Sequence, residues 1–294
     1  MLTREKAVLA MLQEAGRPLS PLVLTKLFFL MRHEAEISKK IAGFYDFVPY
    51  KFGPYSFALH NDLAGLKRNG YVESAGEDWM LGRFVDRARD WMDELDKSVS
   101  DAIRYLYLSR GRLKPDDLLK HVYSTYPWFA SMSELKHLVP CDVPNVQPAK
   151  AAVYTAGYQQ KTVDGFLSGL LRQGISCIID VRSNPVSRNY GFAGRTLAAL
   201  AGKLGLHYKH FPQLGIPSAE RKGLHSEEQY NLLFLSYRKK LLPRECDSMS
   251  KIAGFMRETP SVLLCYEADP SCCHRSHLAD AIHKLSGLGV VHLP

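Results

Sequence analysis

The sequence predicts an α/β domain with a mostly parallel, Rossmann-like sheet in its second half, preceded by a mainly helical, winged-helix-like domain. Three observations support this fold class. β-prone and helix-prone segments alternate after residue 150, three prolines lie between residues 140 and 148, and helical patterns dominate the first half. Parallel strands need crossover connections, so alternating strands and helices indicate a parallel sheet covered by helices.

The second half contains short β-prone runs separated by stretches long enough for a helix. The runs are residues 153–156, 177–181, 207–210, 262–266 and 290–293. At 162–172, apolar residues recur at i, i+3, i+4, i+7 and i+8, which indicates an amphipathic helix. We therefore expect a sheet of about five strands in this half.

The prolines at 140, 144 and 148 mark the domain boundary, because proline interrupts regular structure. We predict a helical domain over residues 1–140, a linker over 141–150 and the α/β domain over 151–294.

Helical patterns in the first half end in turn signals. A helix over 4–14 ends before Gly16, and Ser20-Pro21 has the cap and first-turn residues that open a second helix. A third helix over 56–69 ends at Gly70 and precedes a short β-like run at 71–73. This order of helices and strand is that of a winged helix.

Residues 45–56 (YDFVPYKFGPYS), followed by Asn61-Asp62-Leu63 and residues 66–70 (LKRNG), resemble prokaryotic winged-helix-like domains, including those related to the SocA antitoxin. Candidate nucleic-acid contacts around the third helix are Lys51, Tyr55, Lys67 and Arg68. The alternative is that these residues form a solvated face, or that the domain binds a protein.

Composition excludes several classes of protein. The 46% hydrophobic content is too high for a disordered chain, and no apolar run of about 18 residues indicates a membrane span. The N-terminus has no signal-peptide pattern, so we expect a cytoplasmic protein with its six cysteines reduced. The net charge of +8 lies mostly in residues 151–294, where 17 basic residues face 11 acidic ones, and it favours phosphate-bearing partners.

In a parallel sheet, ligands bind beyond the carboxyl ends of the strands, and the residues that follow the predicted strands are polar. They include the segments 155–158 (TAGY), 180–182 (DVR), Asn184-Pro185, Ser187-Arg188, Leu214-Gly215, 264–270 (LCYEADP) and 273–275 (CHR). In this order the segments resemble the successive signatures of the domain-of-unknown-function 488 family across nearly all of 153–294. The family is named for lacking an assigned function, so the resemblance implies no reaction.

Arginines on separate loops suit bidentate capture of phosphate or carboxylate. The candidate substrate-binding residues are Tyr158, Arg182, Arg188, Arg221 and Arg275. The alternative is that individual arginines pair with nearby acidic residues and brace the loops.

Candidate catalytic residues are Glu267, Asp180, Cys273 and His274. Two carboxylates in different environments can divide acid and base roles, although an aspartate at a strand end often caps loop amides instead. Cys273 precedes a helical stretch at 276–284, where the helix dipole favours a thiolate. The alternative for Cys273 is a small buried residue in the turn.

No metal site is predicted, because the cysteines lack the paired spacing of structural zinc sites. An ion held by ligands from several loops would escape this argument. The sequence leaves the cofactor and the oligomeric state open.

These features favour a nucleic-acid-associated enzyme that acts on a phosphate-bearing or nucleobase-containing substrate by hydrolysis or transfer. DNA repair, modified-base processing and phage defence all suit this architecture, with DNA or a nucleotide as the expected partner. One alternative is a DNA-binding regulator whose C-terminal domain senses an anionic small molecule. Another is a redox or metal-dependent enzyme centred on Cys265 and Cys273.

Overall fold

A computed structural model describes residues 1–35, 37–83, 85–86 and 89–294. The chain forms two compact units, Met1–Asn145 and Val146–Pro294. No helix among the described residues is long and apolar enough to cross a membrane.

The N-terminal unit begins with the helices α1 (Thr3–Ala15) and α2 (Pro21–His33). α1 ends at Gly16, whose positive φ of 60° suits a residue without a side chain. The Ser20 side chain accepts a hydrogen bond from the Val23 amide and so caps α2, as the sequence predicts. Residues 23 to 31 of α2 are all buried, so this helix lies at the centre of the unit.

Two antiparallel hairpins flank the third helix of this unit. β1 (Val48–Tyr50) pairs with β2 (Gly53–Tyr55), and α3 (Phe57–Arg68) follows directly. β3 (Val72–Ala75) then pairs with β4 (Asp78–Leu81), and Leu19 forms an isolated antiparallel bridge with Trp79. The helix predicted at 56–69 is confirmed, with Ser56 as its N-cap.

Two further helices, α4 (Lys97–Arg110) and α5 (Pro115–Thr125), pack against α2. The core between them is aromatic. Phe29 of α2 lies edge-on to Phe47, Tyr126 and Phe129, with ring centroids 4.7 to 5.3 Å apart. Edge-to-face packing of this kind adds about 0.5–1.5 kcal/mol per pair beyond burial.

The C-terminal unit is a five-stranded parallel sheet, as predicted. Its strands are β5 (Val153–Gly157), β6 (Cys177–Asp180), β7 (His207–His210), β8 (Ser261–Cys265) and β9 (Val290–His292). Its helices are α6 (Val163–Arg172), α7 (Gly194–Lys203), α8 (Glu227–Ser236), α9 (Cys246–Glu258) and α10 (His274–Ser286). The strand order is β7-β6-β8-β5-β9, so β6 and β8 are neighbours although they are distant in the sequence.

Both faces of the sheet are buried, which explains the continuous apolar runs of the central strands. Ile179 and Leu263 belong to one cluster with Met249 of α9 and Leu278 of α10. The residues that alternate with them, such as Ile178, are also fully buried. Side chains alternate between faces along a strand, so the sheet is covered on both sides.

The sheet has a topological switch point between β6 and β8. The chain leaves β6 through α7 towards β7 at one edge, and it leaves β8 through α10 towards β9 at the opposite edge. The loops after these two neighbouring strands therefore diverge and leave a crevice, which is where parallel α/β sheets bind ligands.

Candidate functional site

Asp180 and Arg182 form a buried ion pair at the carboxyl end of β6. Asp180 is fully buried and accepts hydrogen bonds from Arg182 Nε at 2.8 Å and Nη2 at 2.5 Å. The Arg182 amide and the Tyr208 hydroxyl, at 3.1 and 2.7 Å, fill the remaining positions around the carboxylate. Burial by itself would lower the pKa of Arg182. The hydrogen bond and the charge of Asp180 act in the opposite direction and more strongly, so the pKa of Arg182 is raised. Because hydrogen bonds already occupy both carboxylate oxygens, a bracing role for Asp180 is favoured over an acid or base role.

Tyr158 extends this brace to the end of β5. Its hydroxyl accepts a hydrogen bond from Arg182 Nη1 at 2.8 Å, and its ring stacks on Phe192 with the centroids 4.1 Å apart. Gly157, just before it, allows a close approach of two loops. A Cβ atom at this position would lie 1.8 Å from the Glu267 carbonyl oxygen, so only glycine fits.

Two cysteines, a histidine and a glutamate meet at the floor of the crevice. Cys265 ends β8, Cys273 is the N-cap residue of α10 and His274 is the first residue of that helix. All three are about 1% exposed. Glu267 Oε2 lies 3.2 Å from Cys265 Sγ and 2.8 Å from Cys273 Sγ.

The hydrogen bonds of His274 define its tautomer. Nε2 lies 3.2 Å from the Val181 carbonyl oxygen, which can only accept, so Nε2 carries the proton. The lone pair of Nδ1 then points into the cluster, 3.6 Å from Cys265 Sγ and 3.9 Å from Cys273 Sγ. In this tautomer, Nδ1 is the acceptor nitrogen and is directed at the two sulfur atoms.

Mutual contact shifts the proton affinities of this cluster. The hydrogen bond from Cys273 lowers the pKa of Cys265 well below its usual value, against the effect of burial. Burial raises the pKa of Cys273, and the neighbouring Cys265 and Glu267 raise it further. Burial, and then the charge on Cys265, also raises the pKa of Glu267. The proton affinities of Cys265, Cys273 and Glu267 therefore depend on one another.

Arg221 lies above the cluster, at the end of the short helix Ser218–Arg221. Its Nη2 lies 3.1 Å from His274 Nδ1, and its Nη1 lies 3.4 Å from Glu267 Oε1. The side chains of Arg221 and Glu267 are 32% and 24% exposed, so both can be reached from solvent. Gly215, just before this segment, packs against the backbone of Ser183, where a Cβ atom would lie 2.0 Å from the amide nitrogen.

The Arg275 side chain contacts the backbone of the loop that follows β8. It is fully buried, and its guanidinium donates to the carbonyl oxygens of Glu267 and, at 2.8 Å, of Ala268. Its Nε has no hydrogen-bond partner among the described residues. This geometry favours loop bracing, the alternative role considered from the sequence, over substrate binding.

A cleft of about 420 Å³ opens above these residues. Arg188 is exposed at its rim, and it makes no hydrogen bond or ion pair within the part of the chain that the structure describes. Arg221 forms another side, and Cys265 lies at the floor. The remaining lining residues are Tyr158, Arg182, Ser183, Asn184, Val186, Ser187, Asn189, Ile216, Ser218 and Tyr266.

Sequence reasoning missed Tyr266 as a residue of the cleft, and it named Cys265 only in the alternative of a redox or metal-dependent enzyme. Tyr266 is 44% exposed, lines the cleft and packs edge-on against Tyr158 with centroids 5.3 Å apart. Its position directly after β8 was the available signal. Cys265 ends a strand that appears in the sequence as a continuous apolar run, so nothing local distinguishes it from a core residue.

Three of the four candidate nucleic-acid contacts of the N-terminal unit have partners of their own. Lys51 pairs with Glu134 at 3.1 Å, and Lys67 donates to the Ser74 hydroxyl at 2.7 Å. Tyr55 stacks on His60 with centroids 4.4 Å apart. Arg68 is exposed at the end of α3.

The C-terminal unit is a parallel α/β domain with an arginine-bordered cleft at its switch point. Residues 162–282 match the family described as Domain of unknown function DUF488. The match covers Asp180, Arg182, Glu267 and the whole cysteine and histidine cluster, so it supports the family resemblance of this unit. No curated protein and no solved structure shows a significant match to the chain.

Proposed function

We propose that this protein is a nucleic-acid-associated enzyme whose C-terminal unit acts on a phosphate-bearing or nucleobase-containing substrate by hydrolysis or group transfer. One observation supports this most strongly: the cleft combines arginines at its rim with a buried group of reactive side chains at its floor.

The rim suits an anion attached to an aromatic group. The guanidinium groups of Arg188 and Arg221 can bind phosphate oxygens bidentately, and Asn184 adds amide donors. The exposed ring of Tyr266 offers a surface on which a base can stack. The volume of about 420 Å³ lies within the range of small-molecule sites. A nucleotide, or a base turned out of a strand, matches this combination.

The floor favours an enzyme over a pure sensor. An anion sensor needs cations and hydrogen-bond donors, but it has no use for two thiols, an imidazole and a carboxylate in mutual contact. Burying such groups is costly, and reactive sites are where this cost is usually found. Within this cluster, Cys265 lines the cleft, and the Glu267 side chain, 24% exposed, is the one that solvent reaches most readily.

Targeting is assigned to the N-terminal unit. The succession of α1, α2, α3 and the β3–β4 hairpin, with the bridge from Leu19 to Trp79, supports a winged-helix-like interpretation. Arg68, at the end of α3, is the candidate phosphate contact that has no pairing partner among the described residues. A cytoplasmic location and a role in repair, modified-base processing or phage defence belong to this proposal.

Binding of anions tests the cleft. Titration calorimetry with AMP, pyrophosphate and a short single-stranded DNA should show affinity that Arg188→Ala lowers about 10- to 100-fold, because a charge-assisted hydrogen bond contributes about 1.5–3 kcal/mol. Arg195→Ala is the matched control, since Arg195 is exposed on α7 and does not line the cleft. Equal effects of the two variants would refute specific binding in the cleft.

Turnover separates the enzyme from the regulator. Nucleotides, damaged DNA and modified bases are incubated with the wild type and with Glu267→Gln, which keeps the shape but removes the carboxylate. We expect the glutamine variant to bind normally and to turn over at least about 10²-fold more slowly. If every tested ligand binds and none is converted by the wild type, the sensor is the better description.

A further inference from the structure

The floor of the cleft places three metal-binding donor atoms close together. Cys265 Sγ, Cys273 Sγ and His274 Nδ1 all lie within 4.8 Å of one another, and all three residues are buried. They come from the end of β8 and the beginning of α10, which the fold brings together across a loop. A spacing rule based on pairs of cysteines does not detect such a site.

The histidine has the orientation of a metal ligand. Its Nε2–H donates to the Val181 carbonyl oxygen, so the lone pair of Nδ1 is directed at the two sulfur atoms. Histidines that bind metals usually donate their other ring N–H to a carboxylate or a backbone carbonyl, which holds the tautomer and the ring orientation. Val181 supplies this second partner already.

A divalent ion would balance the charge that ligand binding creates at the floor. Both thiols must lose their protons when they bind a metal, and the two thiolate charges equal the charge of one divalent ion. Cys265 and Cys273 are each about 1% exposed, so this balance matters in a site that is shielded from water.

We propose that Cys265, Cys273 and His274 bind one Zn²⁺ ion, with Glu267 beside the fourth coordination position. Thiolate and imidazole donors together favour zinc over magnesium, calcium or manganese. Three protein ligands with an open fourth position are the arrangement of catalytic zinc sites, whereas structural sites use four. A glutamate next to a zinc ion held by one histidine and two cysteines is also the arrangement with which nucleobase deaminases activate water.

Arg221 must move when the ion binds, because its Nη2 lies 3.1 Å from the nitrogen that would bind the metal. Its side chain is 32% exposed, so it can turn towards the cleft without unfolding the segment. There it would join Arg188 in holding an anion. The inference concerns the floor of the cleft assigned above, but it does not depend on the substrate, since metal content is measured without turnover.

Metal analysis of the tag-free protein, purified under reducing conditions without chelators, is the first test. We expect about one zinc ion per chain, and a Co²⁺ form with intense near-ultraviolet bands from thiolate-to-metal charge transfer. Cys265→Ser and Cys273→Ser should lose the ion and these bands. Cys272→Ser is the matched control because Cys272 precedes Cys273 but is exposed, and it should keep both. Glu267→Gln should also keep the ion.

The cysteine variants could lose the metal only because they fail to fold, so far-ultraviolet circular dichroism checks the folding of each one. Co²⁺ titration of the metal-free wild type tests metal binding without any substitution. A reduced, folded wild type that binds neither Zn²⁺ nor Co²⁺ overturns the proposal. Metal binding that survives in the folded Cys265→Ser and Cys273→Ser variants also overturns the proposal. A folded wild type that binds neither ion but still converts a substrate would overturn the zinc site and leave the proposed function intact.

Discussion

Replacing the buried Lys26 should stabilise the N-terminal unit. Lys26 lies on α2, is 2% exposed and makes one hydrogen bond, from its Nζ to the Pro54 carbonyl oxygen at 2.8 Å. Burial lowers the pKa of Lys26 from 10.5 to about 7. Lys26→Met keeps the length of the side chain and removes the group that must lose either its proton or its hydration on folding.

The magnitude follows from the difference between the folded and unfolded pKa values. One pKa unit corresponds to about 1.4 kcal/mol, so the buried lysine costs the folded unit about 4 kcal/mol at pH 7. The variant loses the hydrogen bond to Pro54 and leaves that carbonyl unpaired, which costs about 1–3 kcal/mol. We expect a net stabilisation of about 1–3 kcal/mol at pH 7.

The pH dependence has a definite sign. Because the folded pKa lies below the unfolded one, the unfolded chain binds more protons between about pH 7 and pH 10.5. The free energy of unfolding of the wild type therefore rises with pH in this window, by at most about 1.4 kcal/mol per pH unit. The Lys26→Met variant should lose this rise.

Tryptophan fluorescence during urea denaturation follows this unit selectively, since Trp79, Trp91 and Trp128 are the three tryptophans of the chain and all lie within it. Denaturation curves at pH values from 7 to about 9.5 give the free energies. Lys97→Met is the control because Lys97 is exposed, and it should behave like the wild type. A wild-type stability that stays constant over this range would refute the argument.

Further expectations concern both units. Burial, and then the charge of Lys26, lowers the pKa of His60 from 6.5 to about 4. Acidification through this range should therefore lower the free energy of unfolding of the wild type by up to about 3 kcal/mol in the fluorescence assay. The His60→Gln variant should be less sensitive to this change of pH. Asp180→Asn leaves the buried Arg182 without the carboxylate of its ion pair. We expect this change to destabilise the C-terminal unit by about 3–5 kcal/mol in denaturation followed by circular dichroism. A loss below about 1 kcal/mol would mean that the ion pair is dispensable. Gly157→Ala forces a Cβ atom against the Glu267 carbonyl and should lower the free energy of unfolding by at least about 1–3 kcal/mol. Gly169→Ala on α6, where the space around the Cβ position is open, should be neutral or stabilising. The same effect at both positions would contradict the close approach at Gly157.

The elements of the C-terminal unit follow from local sequence. β-prone runs and apolar residues at helical spacing specify strands and helices through short-range sterics and through the face that each element buries. For this reason the strands predicted at 177–181 and 207–210 agree with β6 and β7 to within one residue. The rule that ligands bind at the carboxyl edge also directed attention to the loops that border the cleft.

The roles of the arginines depend on the tertiary structure. Sequence alone presents Arg182, Arg188 and Arg275 as equivalent loop residues. In the fold, Arg182 pairs with Asp180 and Arg275 donates to two backbone carbonyls, while Arg188 stays exposed at the rim of the cleft. Hydrogen bonds are short and directional, so the partner of a guanidinium is decided by atoms that approach it only after folding.

The cysteine and histidine cluster shows the same limit. Cys273 and His274 are adjacent in the sequence, and the sequence places them at the start of a helix. The loop from β8 to α10 folds back and brings Cys265 to them. The carbonyl of Val181, directly after the neighbouring strand β6, determines which nitrogen of His274 faces the sulfur atoms. The sequence by itself determined which residue types stand at the edge of the sheet, and the tertiary structure decided which of their atoms meet, because that depends on strand pairing between segments far apart in the chain.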